Sequence, residues 1–333
     1  MKRLCNALIT PLFFVLITFR IADISIANLE IPRNSLNNIM PFMVFPIILI
    51  NIQIVPIEYF KRAALFFLLP ISVLIFSSDI RALGSIIALI FLIPLYRIFL
   101  SRLNPKNLTI ILSAIIFIIL YDLINSKYFG IYNWGYYGRD RLFLGIFHPK
   151  DQAYLIIYLY LLLNSILSNK RFVSTVFYFF SLICIYLTDS RGAMLGFVVF
   201  GGVSFFGNKV IKFLIPISLL AILAVCFNYN FEEINTLSSN RVGIWLDILN
   251  QNINPSNSID SSFLYFSYHG IYGLFAIIFW IIFAFIIAFK SFGDELKYFI
   301  LIITLGIFDL GLFSFSNLVA LHCWTLCLLH EEN

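Results

Sequence analysis

Charge is what this sequence has least of. Only 12% of its 333 residues are Asp, Glu, Lys or Arg, where ordinary soluble domains carry about a quarter. Hydrophobic residues make up 61% and the mean hydropathy is +0.96, more apolar surface than a water-soluble fold can hide. There is no basic run long enough to bind nucleic acid, so the net charge of +5 speaks about topology rather than about a partner. P-loop and dinucleotide-binding glycine patterns are missing as well. Neither an internal repeat nor a low-complexity linker interrupts the chain, so residues 1–333 read as one domain. The cysteines number five, and an odd count gives no disulfide framework. Cys323, Cys327 and His330 share a helical face, but no fourth ligand accompanies them. They read as packing residues of a last helix, and no metal or cofactor is expected.

What is present is a succession of apolar segments, each about 17 to 20 residues long or more, the length that crosses a bilayer. They run near 4–20, 39–56, 63–78, 82–100, 107–124, 151–167, 172–188, 192–207, 212–228, 263–289 and 297–313, with a short twelfth near 316–330. Ser25-Ile26-Ala27 could pass as a signal-peptidase site, but the first segment reads as a retained helix. The expectation is an all-α, polytopic membrane protein of 11–12 helices, its 38 Phe and 17 Tyr suiting lipid-facing and interfacial positions.

Basic residues orient it. With the N-terminus inside and twelve crossings, the cytoplasmic side holds 13 basic residues against five acids. The opposite side holds nine against ten. That asymmetry obeys the positive-inside rule. It places both termini in the cytoplasm and the two longest polar stretches, 125–150 and 229–262, in the periplasm.

Four outward pieces carry chemistry. Arg191 lies in Asp189-Ser190-Arg191-Gly192-Ala193, a polar notch between two apolar segments. A guanidinium cannot be deprotonated, so one held beside hydrocarbon usually has a task, although a tight turn with a local Asp–Arg pair is the plainer reading. Gly138 to Asp151 brings Arg139, Arg141, His148 and Asp151 to the start of the sixth segment, where Pro149 and Asp151 also suit a helix's first turn. Arg241 and Trp245 are four apart and share a face if helical. Asp260 to Gly273 carries an N-cap candidate, Asp260, together with Tyr265 and His269.

Three outward arginines make sense against a lipid-borne diphosphate, since Arg binds phosphate oxygens bidentately and stays charged. When a sugar leaves a diphosphate, negative charge grows on the departing oxygen, and pre-set cations stabilise it. The acceptor hydroxyl needs a base, for which His148, Asp260, Asp189 and His269 are candidates.

These residues resemble the O-antigen polymerase and ligase superfamily. Ser190-Arg191-Gly192-Ala193 resembles its Ser-Arg motif. Arg141 to Asp151 is similar to its Arg-x-x-Gly-x-Phe-x-x-Pro segment with one residue added before the Gly. Arg241 with Trp245 is similar to the Arg-x-x-x-Trp that opens its long periplasmic loop, and Tyr265 to Gly273 to the segment closing it. The resemblance spans about residues 138–275.

It implies a metal-independent membrane glycosyltransferase of GT-C-like architecture in the bacterial inner membrane. Such an enzyme moves glycan from undecaprenyl diphosphate to a sugar hydroxyl at the periplasmic face. Arg191 and Arg241 would clamp the diphosphate with Arg141 assisting, Asp189 would position Arg191, and His148 or Asp260 would serve the acceptor. Arg139, Asp151, Trp245, Tyr265 and His269 would contact substrate. The implied partners are the lipid-linked glycan, the bilayer, and a chain-length regulator and flippase of the same pathway. Ligases of the family carry a His-Asn pair where this chain has Asp260-Ser261, which favours a repeat-unit polymerase over a ligase. A lipid-linked oligosaccharide transporter is the alternative from another class. It would want charge in mid-helix, where only Asp122 and Asp309 could serve.

Overall fold

The computed structural model describes residues 13, 57–76, 80–102, 130–133, 140–143, 149–166, 171–211, 227–238, 241–249, 261–263, 265, 273–308, 310–313 and 317–329, with isolated positions between 213 and 224. Within those elements the side chains of 68–85 and 273–276, and of Arg141, Arg241 and Trp245, lie outside the described set.

Ten α-helices are seen among the described residues. They are α1 (Ile57–Phe76), α2 (Ile80–Arg102), α3 (Pro149–Ile166), α4 (Arg171–Leu187), α5 (Arg191–Phe206), α6 (Phe231–Leu237), α7 (Arg241–Leu249), α8 (Gly273–Ser291), α9 (Leu296–Phe308) and α10 (Leu318–Leu328). Among the described residues no helix is long and apolar enough to cross a membrane. The apolar runs and the polar residues between them set the helix limits. Expected segments 151–167, 172–188 and 192–207 coincide with α3, α4 and α5 to within two residues. The segments expected near 4–20, 39–56 and 107–124 lie almost wholly outside the described residues.

The described residues are mainly helical, in keeping with the all-α expectation, with two local details beside the helices. An antiparallel hairpin, β1 (Gly130–Asn133) with β2 (Asp140–Phe143), pairs Tyr132 with Arg141 inside the stretch expected as loop. The end of the 297–313 segment tightens into a 3-10 turn at Leu310–Phe313.

Helices α9 and α10 form the interior, and nearly every residue of α10 is buried. Trp324 of α10 is fully buried among Phe66, Phe67, Phe299 and Phe313, and its indole N–H donates to the Leu312 carbonyl at 2.9 Å. Trp280 of α8 donates likewise to Phe66 of α1 at 3.1 Å. Buried indoles thus keep their one donor satisfied while filling the core.

Helix α5 lies along α9 through Gly192 and Gly196, four apart and therefore on one face. A Cβ on Gly192 would fall 2.6 Å from the Phe308 Cβ, and one on Gly196 would fall 2.8 Å from a Leu305 methyl. The α5 backbone sits this closely on the α9 side chains because neither position carries a side chain of its own. Around the rim, α4 and α8 turn large apolar side chains outward. Phe172 is 81% exposed and Tyr186 65%, with Phe179, Phe180 and Ile183 between them. Ile278, Phe279, Ile282 and Ile286 do the same on α8.

Candidate functional site

The site is assembled where α3 and α5 begin and α9 ends. Helices α4 and α5 are joined by only Thr188, Asp189 and Ser190. Thr188 is buried and closes the end of α4, its hydroxyl donating to the Ile185 carbonyl at 2.7 Å. The Asp189 amide donates to Tyr186 at 2.9 Å, and its φ of +50° reverses the chain. Aspartate adopts the left-handed region more readily than most residues. Ser190 sits at the N-cap of α5 without a side-chain cap bond, and its carbonyl accepts from Met194.

Arg191 is therefore the first residue of a 16-residue helix. A cation there opposes the helix dipole, which favours negative charge at its N-terminus. Its side chain is 53% exposed and its Nε stands 3.8 Å from Asp189 Oδ1, at 28% exposure. An exposed pair at that distance holds the guanidinium only loosely. An arriving anion would meet both the guanidinium and the positive end of α5.

Directly below, Gly192 rests on Phe308, the last residue of α9. The Phe308 carbonyl accepts from Lys150 Nζ at 3.1 Å, across 158 residues of sequence. Lys150 and Asp151 stand in the first turn of α3, and Gln152 beside them is buried. A third segment docks alongside. The buried Ser261 donates to Gly306 at 3.4 Å, and the Ser262 hydroxyl accepts from the Leu312 amide at 3.3 Å. The partly buried Tyr265 donates its amide to Ser261. Segments around 150, 190, 261 and 308, unconnected in sequence, meet at one end of the helix bundle.

Arg241 opens α7, and Trp245 follows one turn later, so the two share a face as expected of a helix. The preceding α6 begins with a reciprocal capping box between Asn230 and Glu233. The α7 amides of Val242 and Gly243 are taken by the Ser238 hydroxyl at 3.2 Å and Asn235 Oδ1 at 2.8 Å. The first turn of α7 is thus capped from within the protein. Arg141 lies on β2. Arg139, His148, Asp260 and His269 lie outside the described residues, as do Asp122 and Asp309.

Sequence reading passed over Lys150, Gly192 and Phe308 as working parts. It also passed over a buried polar layer nearer the other end of the bundle. His322 of α10 bonds the Tyr96 hydroxyl of α2 at 3.1 Å and the Ser165 hydroxyl of α3 at 3.4 Å. Tyr96 donates to Tyr158 at 3.0 Å. Ser174 of α4 donates to Asn164 at 2.7 Å, and Asn164 reaches Tyr298 of α9 at 3.5 Å. Cys323 and Cys327 are packed in the same core, where the Cys327 thiol donates to the Glu295 carbonyl at 3.7 Å. Among the described residues no three His, Cys, Asp or Glu side chains gather as a metal site, and His330 lies outside them.

Comparison with protein-family models, curated proteins and solved structures finds no match to this chain.

Proposed function

We propose that this chain is an integral membrane glycosyltransferase that polymerises undecaprenyl-diphosphate-linked repeat units of a surface polysaccharide. The observation that carries the reading is the placement of Arg191. An exposed guanidinium tops the positive end of α5, beside Lys150 and Asp151 at the start of α3, in a chain with few charges. A lipid-linked diphosphate matches that surface, with phosphate oxygens for the cation and hydrocarbon for the apolar flank.

The outward side chains of α4 support a membrane setting. From Phe172 to Tyr186 they run about 21 Å along the axis at 1.5 Å per residue. In water so large an apolar face is a liability, whereas in lipid it is solvated.

In the proposed reaction the acceptor sugar hydroxyl attacks the anomeric carbon of the donor glycan. A carbon–oxygen bond to the acceptor forms as the bond to the diphosphate oxygen breaks. The bonding pair leaves with undecaprenyl diphosphate, where Arg191, with Arg241 and Arg141, offsets the growing charge. The acceptor's proton passes to His148 or Asp260, and Asp189 aims Arg191. The donor and the bilayer are the proposed partners, with a chain-length regulator and flippase of the same pathway. The inner membrane is the proposed location, with the Arg191 end facing the periplasm.

Surface-glycan profiling of a deletion strain tests this. Loss of polymer, with core capped by a single repeat unit and restored by the wild-type gene, is the expected outcome. Arg191→Ala should abolish rescue, and Arg191→Lys should lose nearly as much, because a point charge cannot replace bidentate contact. Bare core with polymer held on its carrier would instead make the protein a ligase. Unchanged glycan would sink both and bring the transporter forward.

A further inference from the structure

Lys150 belongs to none of the roles above, yet it makes the contact that ties the three helix ends together. Its Nζ donates at 3.1 Å to the carbonyl of Phe308, the residue at which α9 ends. The last carbonyls of a helix lack intrahelical partners and form its negative end, where lysine is favourable. Phe308 is also the residue on which Gly192 rests, with no room for a Cβ between them. Arg191 is the next residue in the chain. A displacement of Phe308 is therefore passed to Arg191 through the contact of its side chain with Gly192 and one peptide unit.

We infer that Lys150 is a positioning residue for Arg191, holding the end of α9 beneath Gly192 and neutralising its carbonyls beside the anion surface. The inference rests on the reading of Arg191 as a diphosphate-binding residue. Without Lys150 two things change together. The Phe308 carbonyl loses the cation that offsets its partial negative charge beside the anion surface. The seat of Gly192 loosens, and the guanidinium gains freedom that binding must then remove.

Full-length protein in nanodiscs, titrated with undecaprenyl diphosphate, tests the inference, with the thermal midpoint of each variant measured alongside. Lys150→Met should weaken binding about tenfold, the scale of one lost charge-assisted hydrogen bond. Lys150→Arg should restore most of it, since a guanidinium can reach the same carbonyl. Arg191→Ala should weaken binding further, and adding Lys150→Met to it should cost nothing more, because the lysine acts through the arginine.

Wild-type affinity in Lys150→Met overturns the inference. So does an equal loss in the Arg191→Ala background, which would mark Lys150 as a general packing residue or an independent contact. A wild-type protein that does not bind the lipid, or an Arg191→Ala variant that binds it normally, overturns the diphosphate reading itself and Lys150's place in it. The outcomes are distinguishable because the first two leave the Arg191 effect intact.

Discussion

Asp189 has two claims on its position, and they can be separated. Its φ of +50° lets three residues connect two antiparallel helices, and its carboxylate stands 3.8 Å from Arg191 Nε. The backbone claim is the stronger for stability. A left-handed conformation costs an ordinary L-residue about 1–2 kcal/mol, while Asn and Gly tolerate it. The ion pair, half exposed, contributes about 0–1 kcal/mol. Asp189→Asn and Asp189→Gly should therefore unfold near the wild-type temperature in detergent, and Asp189→Ala should fall by about 1 kcal/mol. A drop in Asn equal to that in Ala would reverse the ranking. Activity should follow the other claim, with Asn impaired through a less well aimed Arg191.

At this scale the sequence is legible where chemistry is conspicuous. A guanidinium in a chain this poor in charge draws attention to Arg191. Lys150 does not, because its partner is a backbone carbonyl 158 residues away, and a carbonyl has no letter in a sequence. His322 is hidden for a related reason, since its partners Tyr96 and Ser165 lie on two other helices and carry no pattern of their own.

Between elements, adjacent glycines on α5 make opposite demands. A Cβ on Gly201 would overlap the Tyr178 hydroxyl oxygen and Cζ, while one on Gly202 meets nothing within 4 Å. Tyr178 cannot easily retreat. It stacks on Phe197 at 4.7 Å and donates to the Phe197 carbonyl at 3.0 Å, fastening α4 to α5. Gly201→Ala should destabilise by about 1–3 kcal/mol, the usual cost of overpacking. Gly202→Ala should stabilise by about 0.5–1 kcal/mol, the intrinsic gain of Ala over Gly inside a helix. Paired thermal melts decide it, and equal behaviour of the two variants would mean that α4 and α5 do not meet at Tyr178.

Helix limits were readable because polar residues such as Asn169-Lys170-Arg171 and Thr188-Asp189-Ser190 punctuate long apolar runs. The β1–β2 hairpin was not, since four-residue strands such as Gly130-Ile131-Tyr132-Asn133 carry too few alternations to register. Close approach was also invisible, because Gly192 and Gly202 are the same letter although one is pressed on Phe308 and the other faces open space.

The molecule as a whole has two unlike ends, and a test of its orientation follows from them. Lys150, Asp151, Asp189 and Arg191 lie where α3 and α5 begin. Toward the opposite end lie Arg102 at the end of α2, Arg171 at the start of α4, Lys209, Lys290 at the end of α8 and Lys297 at the start of α9. Two contacts tie that end together. Asn208 donates to the Gly293 carbonyl at 2.8 Å, joining the exit of α5 to the α8–α9 turn, and Cys327 joins α10 to the same turn. The layer of Tyr96, Tyr158, Ser165 and His322 spends its polarity internally, on hydrogen bonds between helices, as buried polar groups must.

Helix α5 has 16 residues and spans about 24 Å, shorter than the roughly 30 Å hydrocarbon core. If α5 crosses the bilayer as proposed, Arg191 at its start and Lys209 just beyond its end would extend their charged heads to water on either side. On the proposed membrane reading, Ser190→Cys and Asn208→Cys, each in a chain whose native cysteines are replaced by alanine, should react with an impermeant maleimide from opposite sides. The reagent added outside should label Ser190→Cys in spheroplasts, and Asn208→Cys only once the membrane is broken. Labelling of both positions from one side would mean that α5 does not cross, and would remove the basis for placing Arg191 at the periplasmic face. Labelling in the reverse sense would keep the crossing but turn the positive end of α5 toward the cytoplasm, where a periplasmic glycan could not reach it.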